Sequence, residues 1–349
     1  MKPVSAIAII TAVCSIACGI HQTIPAEITV TNKDTSVVTV EIYDTAALVS
    51  IGSNATAEVI GRHYTWSEGP VWIAAKNKLL FSDVPENKIY QWTQGDTPTL
   101  FLTPSGYTGT VKRNGGEDGS NGLALDKNGN LLLCQSGNRQ VVRLSSSLDS
   151  PSASFTVLSA SYNGKKFNSP NDLVVDSKNN IYFTDPIYGL PKGANDETRE
   201  LTFEGVYKIS SSDGKTSLLI DSIENPNGIG LSRDEKILYI ASSSATHPRW
   251  FAYNLDVKGN IAGGGLLLDA ANLEATATVK QGPDGFKIDR HGNIFSAGPD
   301  GINILSPAGK RMAVIKVPKR SVSNCAFNED GTLLFVTADD YLLKITLRR

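Results

Sequence analysis

Six polar residues recur along the chain in a setting that could assemble a site for a hard cation. Glu68, Asn121, Asn171, Asn227, Asp284 and Asn324 each open a short apolar run, and in most copies a Gly follows directly. Two carboxylates and four carboxamides, without thiolate or imidazole, make the donor set that Ca²⁺ prefers, with Mg²⁺ and Mn²⁺ after it. Such an ion polarises a carbonyl and offsets the charge that grows on its oxygen when water attacks. Asn-Gly and Asp-Gly are also ordinary turn dipeptides, so a single copy reads as nothing more than a strand-entry turn. Six copies in one phase are harder to explain that way, because turn chemistry would accept Ser or Gly at several of them.

The elements that must bring these residues together are hairpins. Glu68–Trp72 is followed by Leu79–Asp83, Asn121–Asp126 by Leu131–Cys134, and Asn171–Asp176 by Ile181–Asp185. Asn227–Leu231 is followed by Leu238–Ala241, Asp284–Asp289 by Ile294–Ala297, and Asn324–Phe327 by Leu333–Val336. Turn sequences such as Asp126-Lys127-Asn128-Gly129-Asn130 and Asn328-Glu329-Asp330-Gly331 join the two runs. A further pair follows, for instance Gln140–Leu144 with Phe155–Leu158, or Gly205–Ile209 with Ser217–Ile220.

Four strands per unit, six times over, predict an all-β fold: a six-bladed β-propeller with four-stranded blades around a central metal-containing channel, over residues 57–349. Ala57–Ile60 is expected to complete the last blade and tie the two ends of the ring. Equivalent positions in six inner strands lie at one level of the channel, so the six polar residues are expected to face one funnel. Burying them there without partners costs several kcal/mol each.

The rest of the chain sets bounds. It has 349 residues with 33 Lys+Arg against 35 Asp+Glu, a net charge of −2 that gives no basic surface for gripping nucleic acid. A hydrophobic share of 40% with 31 Gly and 16 Pro suits a globular protein rich in turns and excludes a disordered or fibrous one. After Lys2, the apolar run Val4–Ala17 is too short to span a bilayer and reads as an export signal over residues 1–18. Ala17-Cys18 resembles a lipoprotein cleavage box in which Cys18 would carry the lipid. The chain is therefore expected to be exported in a bacterium, as a periplasmic protein or a membrane-anchored lipoprotein, with that anchor its sole membrane contact.

Residues 19–56 read as an N-terminal extension or linker. Cys134 and Cys325 sit in apolar runs and read as small buried hydrophobes rather than a bridge. The 4 His are scattered, so no imidazole cluster is expected, and His63, His247 and His291 read as surface or turn residues. Nothing in the sequence fixes an oligomeric state.

Five motifs carry a family likeness. Ser67-Glu68-Gly69-Pro70-Val71-Trp72, Asn168–Val175, Ile181–Pro186, Asn225-Pro226-Asn227-Gly228 and Gly282-Pro283-Asp284-Gly285 occur in order. In these the chain resembles the gluconolactonase/SMP-30/regucalcin family of six-bladed, metal-dependent lactonases, over about residues 55 to 340. The resemblance implies a hydrolase that opens a sugar lactone with one divalent cation, Ca²⁺ first and Zn²⁺, Mn²⁺ or Mg²⁺ as alternatives. It implies that Glu68, Asn227 and Asp284 hold the ion and that Asn171 meets either ion or substrate. Asn121 and Asn324 are then supporting or substrate-facing groups by position.

Asp284 is the preferred general base, with Glu68 the other catalytic carboxylate. A metal-bound hydroxide that Asp284 only orients is the rival arrangement. Arg113 and Glu117, with Asp118, lie in a Gly-rich loop and are candidates to line the entrance and hold sugar hydroxyls. Ser136 stands where relatives often carry His, a departure that removes any imidazole from that blade. Two other readings share the funnel: a metal-dependent hydrolase of phosphotriesters, and a non-catalytic binding propeller with a structural ion.

Overall fold

Alternating apolar residues build antiparallel sheets that follow one another around a ring, seen in a computed structural model that describes residues 26–28, 37–52 and 55–348. Blade 1 comprises Ser67–Ile73, Lys78–Asp83, Lys88–Thr93 and Thr99–Leu102. Blades 2, 3 and 4 begin at Ser120–Leu125, Leu173–Val175 and Pro226–Leu231, each with three further strands in chain order. Blade 5 runs from Phe286–Ile288 to Arg311–Lys316. Blade 6 uses Val322–Phe327, Leu333–Ala338 and Tyr341–Thr346, and Thr56–Arg62 from the other end of the chain supplies its fourth strand. The six inner strands neighbour one another in a closed cycle, 1 to 2 and on to 6 and back to 1. This is the six-bladed propeller that the repeat predicts.

Hairpin turns repeat a single device. In blade 2 the Asp126 carboxylate accepts from Asn128 N and Asn130 N, both at 2.9 Å, and from Asn130 Nδ2 at 2.8 Å. Asp176 and Asp289 hold the corresponding turns of blades 3 and 5 in the same way, and Asp256 does so in the outer hairpin of blade 4. Between blades the apolar faces close on each other. Leu80, Ile89 and Phe101 of blade 1 pack with Leu123, Leu133 and Val142 of blade 2, and Phe183 and Tyr207 of blade 3 with Leu132 and Cys134 of blade 2. A single blade would leave these faces wet; stacking around the ring removes them from water.

The stretch expected to be a linker is partly structured. Thr39–Ile42 pairs with Arg311–Lys316 and extends blade 5, and Ala26–Ile28 pairs with it in turn. Val38, Val40 and Ile42 face inward while Thr39 and Glu41 do not, which is the period of a half-buried strand. The export signal read over residues 1–18 lies outside the described residues, as does Cys18. Cys134 and Cys325 are buried free thiols. Among the described residues no helix is long and apolar enough to cross a membrane.

Candidate active site

The six repeated residues sit where the inner ladders break. Pairing shifts register between Glu68 and Val71, Ser120 and Leu123, Pro226 and Ile229, and Val322 and Asn324. In blades 3 and 5 the regular strand begins only after Asn171 and Asp284. Such bulges turn side chains out of the pleat and are common beside active sites. Hydroxyls from neighbouring strands hold the freed carbonyls: Ser82 Oγ donates to Asn121 O at 3.0 Å, Thr184 Oγ1 to Asn227 O at 2.7 Å and Ser323 Oγ to Ser67 O at 2.6 Å.

Contacts run from one copy to the next until the ring closes. Gly69, at φ 51°, presses on the Asn121 carbonyl, where a Cβ would collide. Gly122 N donates to Asn171 O at 2.7 Å, and Asn171 Nδ2 to Asn227 Oδ1 at 2.7 Å. The Asn227 amide also reaches Asp284. Gly285 N donates to Ser323 O at 2.8 Å, and Asn324 Nδ2 reaches Glu68 Oε2 at 3.4 Å. Residues spread over most of the chain thus meet around one axis.

Electrostatics of this funnel are those of carboxylates deprived of water. Glu68 is 3% exposed, and burial, followed by the charges of Asp284, Asp172 and Glu117, pushes its carboxyl well above the usual range. Asp284 keeps partial access to solvent, yet the surrounding protein pushes it up to about 8. Burial dominates there too; Asp172 and Glu117 add to it, and hydrogen bonds from Gly285 and Asn227 oppose it. Burial likewise raises Glu117, against the hydrogen bond from Asn121 and the charge of Arg113.

A divalent cation fits this donor set. Asn171 is 1% exposed and its Oδ1 is buried without a hydrogen-bond partner, an acceptor left open in the ring. Glu68, Asp284 and the Asn227 carboxamide surround the same axis and supply the remaining oxygens and the negative charge. Among the described residues no three His, Cys, Asp or Glu group as a ready-made cage, so the carboxamides are needed to complete the ligand set.

Arg113 and Glu117 lie on the funnel wall in different roles. The Arg113 guanidinium donates to Glu117 O and Asp118 Oδ1, both at 2.8 Å, and to Gly189 O. It therefore ties its own loop to the loop after blade 3's second strand instead of presenting a free cation. Glu117 keeps its carboxylate near Asn121 Nδ2, at 3.5 Å. Asn324 stands behind Glu68 rather than open to the funnel. Ser136 is buried and donates to Pro170 O at 3.0 Å, the same strap that Ser243 makes to Pro283 O at 2.6 Å two blades on. His63, His247 and His291 are exposed.

Two further residues belong to the site. Asp172 is 1% exposed, occupies the position that Gly takes in four other copies, and has Oδ2 buried without a partner. The break in the Gly pattern was its signal. Tyr188, on the loop that Arg113 clasps, donates to Asn225 O at 3.4 Å and lies beside Ser243, Asp284 and Glu117; burial raises its phenol, which stays neutral. A loop position outside the repeat carries no sequence signal of that kind.

Known proteins share this architecture and these motifs. Residues 66–339 match the SMP-30/gluconolactonase/LRE-like region. The chain is 36% identical over 290 residues to a gluconolactonase of Zymomonas mobilis subsp. mobilis, covering 82% of this chain and 80% of the relative. A solved gluconolactonase from Xanthomonas campestris superposes with a TM-score of 0.74 at 28% identity, over 88% of this chain and 94% of that one. The regucalcin of Agrobacterium tumefaciens shares the fold at a TM-score of 0.61 and 16% identity, over 83% of this chain and 96% of that one. Sequence match, ring geometry and motif order agree, and the chain belongs to the SMP-30/gluconolactonase/LRE-like family.

Proposed function

We propose that the chain is a carboxylic ester hydrolase that opens a sugar lactone, using one divalent cation held by Glu68, Asn171, Asn227 and Asp284. The observation that carries this is the run of Asn171, Asn227 and Asp284 side chains, with Glu68 beside Asp284 and the Asn171 Oδ1 acceptor buried without a partner. Membership of a family with gluconolactonase relatives supports the substrate class. An all-oxygen set favours Ca²⁺, with Mg²⁺, Mn²⁺ and Zn²⁺ as alternatives.

When bound, the cation would polarise the lactone carbonyl and offset charge on its oxygen. Asp284, partly open to solvent, accepts the proton of the attacking water, and the same proton can then pass to the departing ring oxygen. Glu68, deeper and drier, contributes charge and position. Asn171 and Asn227 hold each other's amides in register across two blades. Asn121 and Glu117 present a donor and an acceptor toward sugar hydroxyls, while Arg113 fixes the loop that carries Glu117. Tyr188, on the loop that Arg113 clasps, adds a neutral phenol beside Asp284. The apolar run before Cys18 supports export, and acylation of that cysteine would place the funnel at a membrane surface.

Turnover of glucono-δ-lactone by the metal-stripped chain, before and after adding Ca²⁺, Mn²⁺ or Zn²⁺, tests the reading. Activity is expected to vanish on stripping and return with at least one ion. Full activity after complete stripping refutes the cation's role, and an inactive loaded protein with native structure favours a binding propeller.

A further inference from the structure

The inner strand of blade 5 carries a lysine three residues beyond Asp284. Lys287 is half-buried; its stem lines the apolar end of the channel with Val71, Leu173, Ile229 and Phe327. Its ammonium donates to Phe286 O at 3.0 Å and to Asn324 Oδ1 at 3.2 Å, both neutral amide oxygens. Asn324 Oδ1 also accepts from Cys325 N at 2.9 Å. Two donors that cannot accept converge on one atom, so that atom is the oxygen and the other end of the amide is the NH₂. The NH₂ is the end turned to Glu68 Oε2, at 3.4 Å. The amide lies against Gly285, where a Cβ would collide with it.

We infer that Lys287 is a positioning residue for the cation centre: by helping to hold the Asn324 oxygen, it keeps the Asn324 NH₂ on Glu68 and so keeps the Glu68 side chain in place. The inference rests on the cation reading above. Its sign separates it from simple electrostatics. A lysine acting only as a charge repels an incoming cation, and Lys287→Met would then tighten binding. A lysine acting through Asn324 does the reverse, because its loss leaves Cys325 N alone to hold the Asn324 oxygen and frees the amide to turn that oxygen against the Glu68 carboxylate, acceptor against acceptor. Groups that orient metal ligands are commonly worth about 10-fold or more in affinity.

Calorimetric titration of the metal-stripped chain with Ca²⁺ decides it, with Lys287→Met, Asn324→Leu and the double variant alongside and native sheet content checked by circular dichroism. Lys287→Met is expected to weaken binding about 10-fold. In the Asn324→Leu background the same change is expected to weaken it no further. Unchanged or tighter binding by folded Lys287→Met overturns the inference and leaves the cation centre standing. If Lys287→Met does not fold, Asn324→Leu alone decides, since unchanged affinity there overturns the inference as well. Failure of the unaltered chain to bind Ca²⁺, Mn²⁺ or Zn²⁺ saturably overturns both readings.

Discussion

Adding a divalent cation to the stripped protein at pH 7 is expected to drive protons out of the funnel. Burial and the neighbouring carboxylates hold Asp284 up to about 8 and push Glu68 in the same direction. The two interact, so they titrate as a pair. A carboxyl with a pKa near 8 is about nine-tenths protonated at pH 7. Coordination requires the ionised forms, so binding at pH 7 releases about one proton from Asp284, to which Glu68 adds, and the Asp284 share fades as pH rises past about 8.

Titration calorimetry in Pipes and in Tris reads the number directly, as the slope of observed heat against the buffer's ionisation enthalpy. Glu68→Gln and Asp284→Asn each remove a titrating group and should lower the count. Saturable binding with zero slope at pH 7 would refute the reasoning, since the carboxylates would then be ionised before the ion arrives.

The same shifts set the effect of pH on the empty fold. The folded state binds these protons more tightly than the unfolded chain, whose Asp titrates near 3.8. Without the cation, stability is therefore expected to fall as pH rises from about 4 toward 8. A saturating cation is expected to remove that loss.

Three other outcomes are expected. Glu68→Gln and Asp284→Asn should each lower turnover by about 100-fold or more while far-ultraviolet circular dichroism stays unchanged; loss of the fold would instead mark the ion as a scaffold. Gly69→Ala puts a Cβ at φ 51° against the Asn121 carbonyl and should cost on the order of 3 kcal/mol, read as a lower denaturant midpoint at constant slope. Arg113→Ala unpins the two loops it clasps, so KM should rise more than kcat falls, with new protease cleavage within residues 106–119 and little change in Tm.

Much of the architecture was legible because it is written in local rules that repeat. Asp126-Lys127-Asn128-Gly129-Asn130 specifies its turn by side-chain hydrogen bonds within five residues, and the alternation on either side specifies the strands. The shared phase of Glu68, Asn121, Asn171, Asn227, Asp284 and Asn324 then foretold a ring, since equivalent strands put equivalent residues at one height. Thr39–Ile42 escaped notice because a four-residue strand offers only two turns of the alternation, too few to separate from coil.

Roles within the ring were less legible, because they are decided across blades. Asn324 and Asn171 look identical in the repeat, yet one has its oxygen taken by Lys287 and Cys325 N and the other has its oxygen free. Arg113 reads as a cation at an entrance until the carbonyl of Gly189, on another loop, is seen to occupy it. Only a residue whose hydrogen-bond partners lie within its own repeat can be assigned its part from sequence. A carboxamide offers either end to its surroundings, so its part is settled by whichever donors and acceptors the next blade brings. For Asn324 those donors are Lys287 of the neighbouring blade and its own Cys325 N, which together take the oxygen and leave the NH₂ to meet Glu68.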